Sequence, residues 1–144
     1  MRPIGIIHSP FTQKELTPIQ PSRSDAIGWV KVFPEYAGGL EDIEDISHVH
    51  LLYVFHNSTG YTLKVKPFLD DQEHGIFATR YPCRPNPIGL STVRLISRRD
   101  NLLTIEGVDV LDGTPLLDIK PYVPDFDVHT RSVRLGWYAT RSKR

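Results

Sequence analysis

The stretch His48-Val-His-Leu-Leu-Tyr-Val-Phe-His56 decides the fold, because β-branched and aromatic residues run unbroken until Asn57-Ser58-Thr59-Gly60 turns the chain. Such a run reads as a central strand covered on both sides. Around it, short apolar segments alternate with turn signals. Ile4 to Ile7 closes at Ser9-Pro10, and Ile27 to Phe33 ends at Pro34. Further strands are expected at Thr62 to Lys66, Ile76 to Thr79 and Leu90 to Ser97, and Arg99-Asp100-Asn101 reads as a hairpin turn into Leu102 to Val110. Asp112-Gly113 makes the next turn before a strand at Leu116 to Ile119, and Val133 to Tyr138 reads as a last strand or a docking segment. Only Gly39 to Ser47, where Leu40, Ile43 and Ile46 recur every three positions, predicts a turn or two of helix. Twelve prolines and ten glycines leave long helices few places to lie. The expected fold is mainly β, a small single-sheet β-barrel with short helical segments, formed by one domain over residues 1–144.

Composition limits the function classes. With 144 residues, 40% hydrophobic and 24% charged, the chain has the make-up of an ordinary globular protein able to bury a core. Seventeen Lys and Arg balance seventeen Asp and Glu, which argues against nucleic-acid binding by bulk charge and leaves local basic patches open. The single cysteine, Cys83, excludes an intramolecular disulfide and a Cys-based zinc site and fits a reducing compartment. No apolar run has the length of a membrane span, and the start carries no signal-peptide pattern, so the expected location is cytoplasmic, with no membrane partner. Gly-x-Gly-x-x-Gly, Walker and Gly-x-Ser-x-Gly motifs are all missing, which removes the sequence support for dinucleotide binding, P-loop phosphoryl transfer and α/β-hydrolase chemistry.

Three constellations stand out. In Arg80-Tyr-Pro-Cys-Arg84-Pro-Asn86-Pro-Ile-Gly89-Leu90, the prolines at 82, 85 and 87 fix φ and extend each preceding residue, so Arg84 and Asn86 sit on a stiff polar loop with little freedom to lose on binding. In Asp109-Val-Leu-Asp112-Gly113-Thr-Pro-Leu-Leu-Asp118-Ile-Lys120-Pro-Tyr122, the Asp-Gly pair is an ordinary turn. Asp118 and Lys120, two apart on a strand, share a face as a surface ion pair or a site pair. His48, His50 and His56 also share a strand face; a metal there needs a further ligand from elsewhere, and the plainer reading has them hydrogen-bonding at strand ends.

Together, Ile4-Gly-Ile-Ile-His-Ser-Pro-Phe11, Gly75-Ile-Phe-Ala-Thr-Arg80, Arg84-Pro-Asn-Pro-Ile-Gly-Leu-Ser91 and Asp112-Gly-Thr-Pro-Leu-Leu-Asp-Ile-Lys-Pro-Tyr122 resemble the TsaA-like (TrmO) family, in order and over nearly the whole chain. The resemblance implies a β-barrel methyltransferase that uses S-adenosylmethionine, acts as a homodimer and methylates N6 of threonylcarbamoyladenosine at position 37 of tRNA, beside the anticodon. It also implies a cofactor site made by Pro18, Ile19, Gln20, His56, Asn57, Arg80, Leu90, Val110, Leu111, Asp112 and Gly113, with no metal. Pro18-Ile19-Gln20-Pro21 departs from the family's Pro-Arg-Gln-Pro, so any contact made by that arginine is either lost or supplied by Arg23. Many relatives also carry a further C-terminal domain, whereas this chain stops soon after Trp137.

Methyl transfer to a urea-like nitrogen calls for in-line alignment and a base. Asp118 is the first candidate and Tyr122 the second, with Lys120 near enough to modulate either. Arg84, with Asn86, is expected to grip the substrate's carboxylate, since a guanidinium pairs with it through two hydrogen bonds. Arg94, Arg98, Arg99, Arg131, Arg134, Arg141, Lys143 and Arg144 supply basic clusters for the tRNA backbone. Two alternatives stand beside this reading: a metal-dependent barrel enzyme built on His48, His50 and His56, and a non-catalytic barrel that binds tRNA or a nucleotide.

Overall fold

The computed structural model describes residues 1–12, 25–67, 71–129 and 132–141. They belong to two compact units, one formed by Met1–Asn57 with Pro87–Tyr122 and the other by Ser58–Asn86 with Val123–Arg144.

The first unit is a closed antiparallel barrel of six strands. These are β1 (Gly5–His8), β2 (Ile27–Val32), β3 (His48–Val54), β6 (Ile88–Arg99), β7 (Leu102–Glu106) and β8 (Thr114–Pro121), in the order β1-β2-β7-β6-β3-β8 around the barrel. Closure comes from β8, which pairs with β1 through Thr114, Pro115 and Leu116 and with β3 through Leu116 to Pro121. The interior is filled by alternate residues of every strand, among them Ile7, Val30, Val49, Leu51, Val93, Leu103, Ile105 and Leu116. Gly5 is demanded by this packing: a Cβ there would run into the Lys31 carbonyl of the neighbouring strand.

The expected barrel is present, with local differences. The central strand β3 buries only Val49, Leu51 and Tyr53, while its other face, including His48, His50 and Leu52, is half-covered. Its unbroken apolar run therefore records one core-facing side and one partly sheltered outer side. The helical period around Leu40 and Ile43 becomes two 3-10 turns, Pro34–Leu40 and Ile43–Asp45, rather than an α-helix. Arg98 pins both, donating from Nη1 to the Leu40 carbonyl and to Glu44 Oε1, each at 3.0 Å. The Glu44 carboxyl is held below the usual range, first by a backbone hydrogen bond and then by Arg98. Strand β7 stops at Glu106, and Gly107–Val110 form a buried connection to β8.

The second unit holds a two-stranded ribbon, β4 (Lys64–Val65) with β5 (His74–Gly75). Ile76 to Thr79, read as a strand, is instead a 3-10 turn over Ile76–Ala78: Ile76 is buried, and its carbonyl accepts from the N–H and the hydroxyl of Thr79. Val133 to Tyr138 forms no strand; Trp137 donates its indole N–H to the Ala78 carbonyl at 2.8 Å, and a helical turn, Tyr138–Arg141, follows. A second helical turn spans Pro124–Asp127. Among the described residues no helix is long and apolar enough to cross a membrane.

Gly89 tests the packing. A Cβ at this position would overlap the Tyr53 ring and lie 2.8 Å from Phe55 Cζ. The Tyr53 ring is buried and its hydroxyl is bonded to Ser91, so it has nowhere to retreat. Gly89→Ala is expected to cost about 1–3 kcal/mol by overpacking, lowering the midpoint of urea unfolding without changing its slope.

Candidate active site

One end of the barrel collects the C-termini of β1, β3 and β7 and the N-termini of β2, β6 and β8. The connection from β7 to β8 lies here, and five hydrogen bonds tie its Val110–Gly113 stretch to β1 and the residues after it. Ser9 donates its hydroxyl to the Val110 carbonyl at 2.6 Å and its N–H to Asp112 Oδ1 at 3.0 Å. His8 Nδ1 is 3.1 Å from the same oxygen. The Asp112 N–H reaches the Phe11 carbonyl, and the Gly113 N–H reaches Ile7. Gly113, at φ +84°, occupies the left-handed region that only glycine adopts freely. The loop is thus tied to β1 and the residues that follow it while Asp112 stays exposed.

Beneath it runs a buried polar chain that the sequence reading did not single out. Tyr53 and Ser91 bond hydroxyl to hydroxyl at 2.7 Å, and Ser91 donates to Asp109 Oδ1, also at 2.7 Å. All three residues are buried, so the chain fixes Asp109 at the root of the loop. The signal available in the sequence was Ser91, a polar residue at an inward position of a strand that is otherwise apolar on that side.

The outer face of β6, β3 and β8 carries the other candidates. Register sets Leu90 opposite Leu52 and Leu52 opposite Asp118, a row across three strands. The next row is Thr92, His50 and Lys120. Leu90 and Asp118 are therefore about 10 Å apart on one face. Asp118 faces outward because of a register shift between Leu52 and Tyr53: Tyr53 pairs with Leu116 and Leu52 with Asp118, so Leu117 is an extra residue. By simple alternation from Thr114 and Leu116, Asp118 and Lys120 would point into the core. The bulge reverses this and turns Ile119 inward, where it packs on the core cluster. Asp118 Oδ2 lies 2.9 Å from Lys120 Nζ, and Oδ1 accepts the Ile119 N–H at 2.9 Å. At the far end of the face the Tyr122 ring meets His50 edge-on, with centroids 5.5 Å apart, and also His48.

The histidines do not converge. His48 Nδ1 bonds Ser47 Oγ and His50 Nδ1 bonds Thr92 Oγ1, each at 2.8 Å, while His56 lies beyond the end of β3, about 26 Å along the strand from His48. Among the described residues no three His, Cys, Asp or Glu side chains come together as a metal-ligand set. This removes the geometric basis of the three-histidine reading. His56 and Asn57 are exposed at the same barrel end as the Val110–Gly113 loop.

Arg80, Arg84 and Asn86 belong to the second unit. Arg84 Nη1 donates to the carbonyls of Thr79 at 2.7 Å and Tyr81 at 3.1 Å, so one corner of its guanidinium staples its own loop. Arg80 and Asn86 are exposed. Pro18, Ile19 and Gln20, with Arg23, Arg131, Lys143 and Arg144, lie outside the described residues.

The loop and its neighbours offer carbonyl oxygens, the Asp112 carboxylate, the Asn57 amide and the apolar Leu90. That donor set suits a cationic sulfonium joined to a purine: anionic and carbonyl oxygens for the charge, an amide for the base edge and an apolar wall.

The family model described as the tRNA-methyltransferase O N-terminal domain matches residues 6–128. A Pyrococcus abyssi protein described as a probable S-adenosyl-L-methionine-binding protein is 58% identical over 94% of this chain and 74% of its own length. A mouse tRNA (adenine(37)-N6)-methyltransferase is 41% identical, over 87% of this chain but only 31% of the mouse protein. The crystal structure of a TrmO superposes with a TM-score of 0.78 at 43% identity, covering 92% of this chain and 61% of that one. By the extent of these matches and the barrel that carries them, the chain belongs to the tRNA-methyltransferase O N-terminal domain family.

Proposed function

We propose that this protein is an S-adenosylmethionine-dependent methyltransferase acting on N6 of an adenosine in tRNA, with threonylcarbamoyladenosine beside the anticodon as its acceptor. Family membership supports the reaction class. The observation that carries the local assignment is the placement of the tied-down Val110–Gly113 loop at the barrel end where the Leu90–Leu52–Asp118 row begins.

Bound S-adenosylmethionine supplies an electrophilic methyl group on a sulfonium. Val110, Leu111, Asp112 and Gly113 would hold that positive charge with carbonyl and carboxylate oxygens, His56 and Asn57 would address the purine, and Leu90 would exclude water. Pro18, Ile19, Gln20 and Arg80 complete the cofactor surroundings in this reading. Asp118 would take the proton of N6 as the new N–C bond forms and the donor's S–CH3 bond breaks, its electron pair leaving on sulfur as a neutral thioether, while Lys120 keeps the carboxylate oriented and Tyr122 is the alternative base. Arg84 and Asn86 receive the acceptor's carboxylate, Arg84 through the guanidinium nitrogens its loop does not occupy. The protein works as a homodimer in the cytoplasm.

Purified protein incubated with labelled S-adenosylmethionine and tRNA with or without threonylcarbamoyladenosine should methylate the modified pool alone, at N6, as read by nucleoside mass spectrometry. Retained cofactor binding without transfer to either pool would mean a different acceptor, and absence of cofactor binding would end the methyltransferase reading. Ser9→Ala loosens the loop and is expected to raise the Kd for S-adenosylmethionine by roughly 5- to 30-fold, the worth of one or two buried hydrogen bonds. An unchanged Kd by calorimetry would move the cofactor elsewhere. Asp118→Asn is expected to lower the single-turnover rate by about 100-fold or more with cofactor affinity intact. Because the Asp118–Lys120 pair is half-exposed, the thermal midpoint should scarcely move, so a lost rate reports chemistry and a retained one excludes Asp118 as the base.

A further inference from the structure

The second unit presents an aromatic ring to solvent on an unusually rigid support. Phe77 is 77% exposed, yet the 3-10 turn that carries it is held by the residues on either side of the ring. Ile76 is buried and its N–H bonds the Leu63 carbonyl at 2.9 Å; Trp137 bonds the carbonyl of Ala78; Arg84 bonds that of Thr79. Trp137 is itself clamped between the rings of His74 and Tyr138, at 4.7 and 4.0 Å. The Arg84 guanidinium lies over one face of the Phe77 ring, 6.0 Å from its centre, and Tyr61 and Leu63, on the neighbouring segment, are also more than half exposed. This unit is basic, with nine Lys and Arg against five Asp and Glu, whereas the barrel unit has eight against twelve.

From these observations we infer that the open face of Phe77 is a stacking platform for an unpaired base of a single-stranded RNA loop, with Arg84 backing the other face of the ring and the net positive charge of the same unit attracting the backbone. An exposed aromatic ring costs solvation in the free protein, and a preorganised one loses little entropy when a flat partner settles on it. Every nucleobase has such a face, and a guanidinium next to the ring adds cation–π and phosphate attraction. The excess of positive charge in this unit favours RNA over the same face of a second copy, which would bring like charge to the contact. The inference rests on the tRNA reading above and adds to it which side chain meets a base.

The test compares the full-length protein with Phe77→Leu, which keeps an apolar side chain of similar size, and Phe77→Trp, which keeps the π-face. Binding to tRNA and to a synthetic anticodon stem-loop is followed by fluorescence anisotropy, with a fully paired RNA as control. Phe77→Leu is expected to weaken stem-loop binding at least about fivefold and leave the paired RNA and the affinity for S-adenosylmethionine unchanged, while Phe77→Trp binds as tightly as wild type or tighter. Equal weakening of paired and looped RNA, or no weakening, would overturn the stacking role while leaving the tRNA reading in place. A change in sedimentation mass on Phe77→Leu would assign the face to a second copy and overturn it also. Wild-type protein that binds no RNA in any form would overturn this inference together with the tRNA reading.

Discussion

Barrel closure by β8 is the constraint on which the other features depend. This strand must satisfy β1 over Thr114, Pro115 and Leu116 and β3 from Leu116 to Pro121, and the two partners are not in step. One extra residue, Leu117, absorbs the mismatch as a bulge. Because side chains alternate with a period of two, that single residue inverts the remainder of the strand: Ile119 enters the core, and Asp118 and Lys120 are turned out beside His50 and Leu52. The same strand begins at the turn that holds Asp112 and Gly113. One stretch of eleven residues, Asp112 to Tyr122, therefore serves as loop, seam and outward-facing polar row in succession.

Rigidity in this protein is concentrated where a ligand would be handled. Ser9 and the buried Tyr53–Ser91–Asp109 chain fix the loop between β7 and β8 from both sides, so its polar atoms are aimed before anything binds. Arg84 spends part of its guanidinium on the carbonyls of Thr79 and Tyr81, a use that stiffens the proline-rich loop beyond what Pro82, Pro85 and Pro87 impose. Groups held in this way lose little freedom when they engage a partner.

The barrel was legible in the sequence because short runs of β-branched, aromatic and aliphatic residues are bounded by turns that carry Asp, Asn, Gly or Pro, and the strands at Val30, Val49, Val93 and Leu103 were placed from those signals. What escaped has a physical reason in each case. The run around His48–His56 looked two-sided because the outer residues of β3 are themselves half-sheltered by neighbours on the sheet. Leu40, Ile43 and Ile46 have the spacing of a 3-10 turn as much as of a helix, since both return to one face after about three residues. Ile76 to Thr79 has strand-like residues, but Thr79 closes back on the Ile76 carbonyl within the segment. At the site, the Asp118–Lys120 pairing was visible from spacing, whereas the bulge that decides which way the pair faces depends on register with β3, which is a property of two distant segments. The chain through Ser91 was hidden because a lone serine in an apolar strand reads as surface until its partner Asp109 is seen across the barrel.

Charge shows the same limit of a whole-chain reading. The balance of seventeen against seventeen describes no surface that a partner would meet, because the excess of acid belongs to the barrel unit and the excess of base to the other. A polyanion responds to the local field within about a Debye length, roughly 8–10 Å at physiological salt, a distance shorter than either unit. The neutrality that argued against binding by bulk charge therefore permits binding by one unit alone. Within that unit the Arg84 guanidinium lies over the exposed ring of Phe77, an arrangement that joins attraction for phosphate to short-range contact with a base.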